Sequence, residues 1–227
     1  ACLMCGRFAA TASIDEIATE FSLVGVPERE LSQSWNVAPT SEIYVIVEQR
    51  LEIMKWGLIP TWAKSGFTGA NTINARSESV HEKPSFKSAF RARRCLIPVT
   101  GYFEWATELG QFPSKQPFFI QRKDKKQLAM AGIYENGTAA IITKEAEGFL
   151  ADIHHRMPLF LPKADWQRWL DPKINDEVSA RDFMRHGLAP ESAGLNAYPV
   201  SNQVNFVRNN SASLLTEIPL GEAQTLL

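Results

Sequence analysis

The sequence predicts an α+β protein that is mostly β, with short helices flanking its sheets. Short apolar or alternating runs recur along the 227 residues, and such runs are typical of strands. Helical periodicity is confined to a few short segments. Many strands with few helices indicate a β-rich domain whose helices lie at its periphery.

The first predicted helix spans residues 13–21. Ser13 is the expected N-cap, and Glu16 stands three residues later at the capping-box position. The apolar residues of this segment fall on one helical face: Ile14, Ile17, Ala18 and Phe21. Three further short helices are predicted at 85–94, 163–170 and 178–186. In the helix at 85–94, basic residues line the face opposite the apolar one.

The predicted strands are apolar runs between turn-forming residues. One pair forms a hairpin around Gln49–Arg50, and another is joined by Glu135–Gly137, where an Asn-Gly pair favours a tight turn. In chain order the strands are predicted at 43–47, 51–54, 95–99, 118–120, 128–134, 139–143 and 198–201. Between them, Trp56–Trp62 is too rich in Gly and Pro for a regular element.

Composition is that of an ordinary globular protein, with 44% hydrophobic and 22% charged residues. The net charge of −1 excludes a polycation, so any nucleic-acid binding requires a local basic surface. No apolar run is long enough to cross a bilayer, and no signal peptide is recognised. We therefore expect a cytoplasmic protein. Three cysteines do not form a disulfide framework, and Cys95 is expected in the core.

A single domain is predicted over residues 4–218. Residues 1–3 are expected to be an N-terminal extension or an expression remnant, and residues 219–227 a loose C-terminal tail.

Cys5 directly follows Met4 and becomes a new amino terminus if the preceding residues are removed. It would then carry a thiol and an α-amine on adjacent carbons, which together attack an aldehyde, form an imine and close a thiazolidine ring. The competing interpretations are a small buried residue or a C-x-x-C pair with Cys2. Gly6 and Arg7 favour a functional role, because glycine permits close approach and arginine supplies a permanent cation.

Asn74 and Arg76 are two residues apart, so on a strand both would lie on one face. An amide and a guanidinium on one face suit a phosphate, a sugar or a carboxylate. The alternative is a turn asparagine beside a solvated arginine.

Glu104 stands among aromatic residues in Gly101–Trp105. Desolvation there would raise the pKa of its carboxyl group and suit it to acid–base catalysis. The alternative is a glutamate at a sheet edge with its carboxylate in water.

His154 and His155 are adjacent and cannot both face one site on a strand, so we expect one to be buried or catalytic and the other exposed. Their spacing does not favour a metal site. Trp56 and Trp62 lie in the Gly-Pro loop, where tryptophans either join the core or stack on bases.

Seven segments, in this order, resemble the SOS-response-associated peptidase (SRAP) family, whose members cross-link to abasic sites in single-stranded DNA. They run from residue 4 to about residue 210 and are Cys5–Phe8, Asn36–Pro39, Trp56–Pro60, Ile73–Glu78, Gly101–Trp105, Ile153–Pro158, and Pro199–Ser201 followed by Val204–Asn205.

The resemblance implies a barrel-like sheet core with flanking short helices and a DNA groove. It assigns the nucleophile to Cys5 and further catalytic positions to Asn74, Glu104 and His154. The implied DNA-binding residues are Arg7, Arg76, Trp62 and Arg156, with the basic face of Lys87, Arg91, Arg93 and Arg94 as an extension. In this scheme Glu104 opens the sugar ring, and His154 protonates a leaving group.

The expected partner is therefore single-stranded DNA that contains abasic sites. We expect a monomer, associated with the nucleoid in a bacterium, with no cofactor, metal or membrane. Two other functions remain open at this point. One is an N-terminal-nucleophile glutaminase that uses Asn136-Gly137 as an oxyanion hole, and the other is a non-catalytic DNA-binding module.

Overall fold

The computed structural model describes residues 6–107 and 112–220. The strands of this part are β1 (Arg7–Ala10), β2 (Ser34–Val37), β3 (Glu42–Val47), β4 (Arg50–Trp56), β5 (Asn74–Arg76), β6 (Arg94–Val99), β7 (Gly101–Trp105), β8 (Pro117–Arg122), β9 (Leu128–Glu135), β10 (Thr138–Glu145), β11 (Arg156–Pro158) and β12 (Leu195–Pro199). The α-helices are α1 (Ile14–Phe21), α2 (Lys87–Ala92), α3 (Trp166–Leu170) and α4 (Glu177–Arg185). Short 3-10 helices span Gly148–Asp152, Lys163–Asp165, Asn202–Asn205 and Ala212–Leu215.

The strands form two sheets, and one of them closes on itself. In the larger sheet β10, β4, β3, β6 and β9 follow one another, and β9 also pairs with β10, which completes a ring. Strands β5 and β11 extend this barrel from β10. The second sheet has the order β12-β8-β7-β1-β2. The predicted mostly β fold with a barrel-like core is confirmed.

Apolar side chains from both sheets pack together where the sheets meet. Phe8 of β1 contacts Trp56 of β4, with their ring centroids 4.8 Å apart, and Tyr102 of β7 belongs to the same core. A second core lies between the barrel and its helices and includes Phe90 and Trp169. Burial of large side chains on both faces of the barrel wall stabilises the frame that carries the site.

Elements with strong local signals form as predicted. Ser13 accepts a hydrogen bond from the backbone of Glu16, which completes the capping box of α1, and β9 and β10 join through an Asn136-Gly137 turn with positive φ at both residues. The β3–β4 turn falls one residue earlier than predicted, at 48–49. The last strand spans Leu195–Pro199, so it begins and ends earlier than the predicted strand at 198–201. Cys95 is fully buried, as expected, and burial raises the pKa of its thiol.

Several short strands carry no sequence signal of their own. Five strands have only three to five residues each, namely β1, β2, β5, β7 and β11. An alternating pattern cannot be recognised over so few residues, so these strands form because neighbouring strands pair with them. β5, for example, pairs in parallel with the middle of β10.

Candidate active site and nucleic-acid interface

Glu104 is buried where β7 faces the barrel, with 2% of its surface exposed. Side chains alternate along a strand, so Glu104 shares a face with Tyr102 of the inter-sheet core, whereas Phe103 packs on the opposite face. The expected burial is confirmed, but its cause differs. The flanking aromatic residues, Phe103 and Trp105, lie on the opposite face of the strand and cannot cover this carboxyl group. The core between the sheet and the barrel covers it instead.

His154 lies beside this carboxyl group. It follows the 3-10 helix Gly148–Asp152 and is 3% exposed, and its Nδ1 is 4.0 Å from Oε2 of Glu104. His155 is exposed and its ring lies 4.3 Å from that of His154. The prediction of one buried and one exposed histidine is confirmed.

The hydrogen bonding of His154 favours one tautomer. The backbone N–H of Arg156 donates to His154 Nδ1 at 3.1 Å, whereas the Arg156 carbonyl lies farther from the same nitrogen, at 3.4 Å. The shorter contact favours a ring proton on Nε2. Burial, together with His155, lowers the pKa of His154 to about 4. The imidazole is therefore neutral near pH 7, and 4.0 Å is too long for a hydrogen bond to Glu104. Nε2–H is a hydrogen-bond donor here, and an imidazolium that protonates a leaving group is scarce.

Arg156 is held inside the protein and is 8% exposed. Its guanidinium binds the Glu78 carboxylate through two hydrogen bonds of 2.5 and 2.9 Å and the carbonyl of Thr143 at 2.7 Å. The bonds from Arg156 lower the pKa of Glu78. A phosphate would have to displace Glu78 to reach this guanidinium, while the Arg156 backbone orients His154.

Asn74 and Arg76 lie on one face of β5, as predicted, with Ala75 buried between them. Arg76 pairs with Thr143 in the parallel β5–β10 ladder, and Ser77 N–H donates to the carbonyl of Thr143 that Arg156 also binds. The exposed Arg76 is thereby placed at the same point of β10 as the Arg156–Glu78 pair.

Arg7 opens β1 opposite Phe103, the neighbour of Glu104. Its Nη1 donates to the Asn36 side chain and to the Val204 carbonyl, each at 2.8 Å. Its Nη2 lies 3.4 Å from the Asn205 carbonyl. Partial burial lowers the pKa of Arg7, yet an arginine remains charged at neutral pH. In the described residues Arg7 thus joins β1 to the segment after β12.

Trp56 and Trp62 have different environments, and Trp56 is the last residue of β4 and not part of the loop in which it was expected. Trp56 is fully buried and donates to the Ile73 carbonyl. Trp62 is 58% exposed, and its Nε1–H donates to the Pro84 carbonyl at 3.3 Å. Phe67 of the same loop is also exposed. Trp62 therefore presents its indole to solvent from a fixed position.

The basic face of α2 forms in part. Lys87 and Arg91 are exposed and line a cavity of about 760 Å³ together with Arg93. Arg94 does not belong to this face, and the expectation for it is wrong. It is 3% exposed, and its guanidinium donates to backbone carbonyls at the C-terminal ends of α2 and α3 and just after α3, which lack intrahelical donors.

Cys5 lies outside the described residues. Asn36 and Glu78 hold Arg7 and Arg156, and sequence reasoning assigned neither of them a role. Both belong to recognisable motifs, Asn36–Pro39 and Ile73–Glu78. The available signal for Asn36 was a polar residue beside an apolar one in a short strand, whereas Glu78 lies in the turn after β5 and had no such signal. No cluster of metal-ligating side chains occurs in residues 6–107 and 112–220. The helices in those ranges are too short or too polar to cross a membrane.

The protein is thus a β-rich frame that holds a buried carboxyl group beside a neutral imidazole and exposes an arginine and an indole, an arrangement suited to proton transfer on an anionic substrate. The sequence model of the SOS response associated peptidase (SRAP) family matches residues 4–207. The chain belongs to this family.

Related proteins match over most of their length. The chain is 37% identical to the abasic site processing protein YoaM of Bacillus subtilis, covering 93% of this chain and 97% of that protein. It is 30% identical to the abasic site processing protein YedK of Escherichia coli, covering 95% and 100%. A crystal structure of a protein from Bacteroides thetaiotaomicron has a TM-score of 0.80 and 25% identity, covering 95% of this chain and 100% of that one.

Proposed function

We propose that this protein processes abasic sites in single-stranded DNA and becomes covalently linked to them through Cys5. The relatives that it resembles over nearly its full length are named abasic site processing proteins. The single observation that carries the proposal is the Glu104–His154 pair, buried beside the start of β1, because β1 begins two residues after Cys5.

The chemistry starts from the open form of an abasic site, which is an aldehyde. The α-amine of Cys5 adds to C1′, and loss of water gives an imine. The thiol then adds across the C=N bond, with sulfur bonding to carbon and the proton going to nitrogen. The product is a thiazolidine, and one water is released in all.

Each residue has a defined task in this scheme. Glu104 exchanges protons with the sugar oxygen and with the carbinolamine hydroxyl as it leaves. His154 donates a hydrogen bond from Nε2–H, and Asn74 holds the amine or sulfur of Cys5. Arg76 contacts backbone phosphate, and Trp62 stacks on a base.

Two further activities follow from the same chemistry. Removal of residues 1–4 is a peptidase step that exposes the Cys5 amine. An imine that has not yet closed permits β-elimination of the 3′ phosphate, which is a lyase activity. We expect the protein to act as a cytoplasmic monomer, at the nucleoid in a bacterium, within the response to DNA damage.

The test compares protein that begins at Cys5 with protein that retains residues 1–4. Only the first form should give a heat-stable adduct with abasic single-stranded DNA on a denaturing gel, because the Cys5 nitrogen of the second is a non-basic amide. Cys5→Ala should form an imine trapped by borohydride but no stable adduct. Equal adduct yields from both forms would refute the proposal.

A glutaminase is not supported by the site. The Asn136-Gly137 pair that would supply an oxyanion hole is the exposed β9–β10 turn. A glutaminase assay on protein that begins at Cys5 should detect no ammonia release.

A further inference from the structure

Three consecutive exposed side chains follow the 3-10 helix Asn202–Asn205. Phe206 is 46% exposed and Val207 is 56% exposed. The guanidinium of Arg208 lies over the Phe206 ring, 5.9 Å from its centroid. Exposed apolar residues are common on protein surfaces, but an aromatic ring with a guanidinium beside it is a specific arrangement.

The backbone beneath these side chains is firmly held. Asn36 is 4% exposed, and its amide nitrogen lies within hydrogen-bonding distance of three carbonyls, those of Val204, Phe206 and Asn209, at 3.2, 3.1 and 2.9 Å. Arg7 binds the Val204 carbonyl as well. Three carbonyls of residues 204–209, which we call the 204–209 loop, are therefore held by buried donors, while Phe206 and Val207 are left exposed.

The same contacts place the 204–209 loop at the edge of the candidate active site. Trp105, the neighbour of Glu104, donates its indole N–H to the Asn205 side chain at 2.7 Å. Arg7, which lies two residues after Cys5, is the other anchor. The loop thus borders the end of β7 and the beginning of β1.

We propose that Phe206 stacks on a nucleobase that flanks the abasic site, and that Arg208 contacts the adjoining phosphate. This inference rests on the proposed function. An aromatic ring with a cation beside it is the usual platform for a base in a single strand. Residues 202–213 contain one arginine and no carboxylate, so nothing in the segment repels phosphate.

The small size of the surface favours a nucleobase over a protein partner. Stable protein interfaces bury roughly 800 Å² on each side, whereas the loop offers one aromatic ring and one valine. Stacking on the flanking base would hold the strand on one side of the missing base while Trp62 binds elsewhere along it.

The test uses a single-stranded oligonucleotide with a tetrahydrofuran abasic analogue, which lacks the aldehyde and cannot cross-link. 2-Aminopurine occupies the 5′ neighbour in one oligonucleotide and the 3′ neighbour in another. Binding of the parent protein should change the emission of one of them. Phe206→Ala should abolish that change and weaken binding by roughly 5- to 150-fold, and Phe206→Trp should restore both.

Val178→Ala is the matched control, because Val178 is 80% exposed on α4 and should be neutral. Arg208→Gln should make the salt dependence of binding shallower. Equal affinity and emission for the parent and Phe206→Ala would overturn the inference while leaving the proposed function intact, provided that the parent still cross-links to abasic DNA. A parent protein that neither binds nor cross-links would overturn both.

Discussion

Burial of neutral His154 should make the protein lose stability in mild acid. The ordinary histidine pKa is about 6.5 and that of His154 is about 4, so between these values the unfolded chain binds a proton that the folded protein does not. Stability therefore rises with pH across this window and is unaffected by this group above it. Because one pKa unit corresponds to about 1.4 kcal/mol, the free energy of unfolding should fall by about 3 kcal/mol from pH 7 to pH 4 through His154.

His154→Asn isolates this effect. The asparagine side-chain oxygen can replace Nδ1 as the acceptor for the Arg156 N–H, but it cannot titrate. Urea unfolding of the parent and of the variant at pH 7, 6, 5 and 4 gives the difference between their free energies of unfolding, which should shift in favour of the variant as the pH falls. His155→Asn, at the exposed neighbour, should keep the greater part of the parent's dependence on pH. Parallel curves for the parent and His154→Asn would refute the argument that His154 is neutral because it is buried.

The remaining predictions concern catalysis, binding and folding. Glu104→Gln should slow cross-linking by roughly 10²- to 10⁴-fold with little change in affinity for intact single-stranded DNA, and a parent-like rate would remove the carboxyl group from the mechanism. Arg76→Ala should weaken DNA binding by about 1–3 kcal/mol and make its salt dependence shallower, whereas Arg185→Ala on α4 should change neither; an unchanged slope for Arg76→Ala would place it off the DNA. Asn36→Ala should lower the free energy of unfolding by about 1–3 kcal/mol, since the Asn209 carbonyl loses its donor and Arg7 loses an acceptor, against less than about 0.5 kcal/mol for Ser32→Ala at an exposed position of the same segment; similar urea midpoints for the two would contradict the anchoring role.

Local sequence signals predicted the elements that fold by local rules. The capping box of Ser13 and the Asn136-Gly137 turn each depend on residues close in the chain, and both form. β5 and β11 have three residues each and exist because β10 offers them free edges to pair with. A period cannot be read from three residues, so these strands, which carry Asn74, Arg76 and Arg156, could be placed only by the tertiary structure.

The prediction for Glu104 reached the right burial through the wrong neighbours. Aromatic residues adjacent in sequence suggested a desolvated carboxyl group, yet Phe103 packs on the far side of the sheet. Sequence proximity along a strand separates side chains, and it is residues two apart that share a face. The neighbouring group, His154, comes from fifty residues downstream, and only the family resemblance linked the two.

Under the proposed function, we expect Arg156 to support the DNA-binding site without contacting phosphate itself. Its charge is already neutralised by Glu78, and its burial makes the exchange of that partner for a phosphate costly. The guanidinium nevertheless ties the end of β5 to β11 through Thr143, and the backbone N–H of Arg156 donates a hydrogen bond to Nδ1 of His154. Under the proposed function, we expect exposed Arg76 to meet DNA at this point. We expect Arg156 instead to position the strand from which Arg76 projects and the imidazole beside Glu104. Substitution of Arg156 should therefore reduce the cross-linking rate more than it changes the salt dependence of DNA binding. A residue that contacts phosphate would show the opposite order of effects.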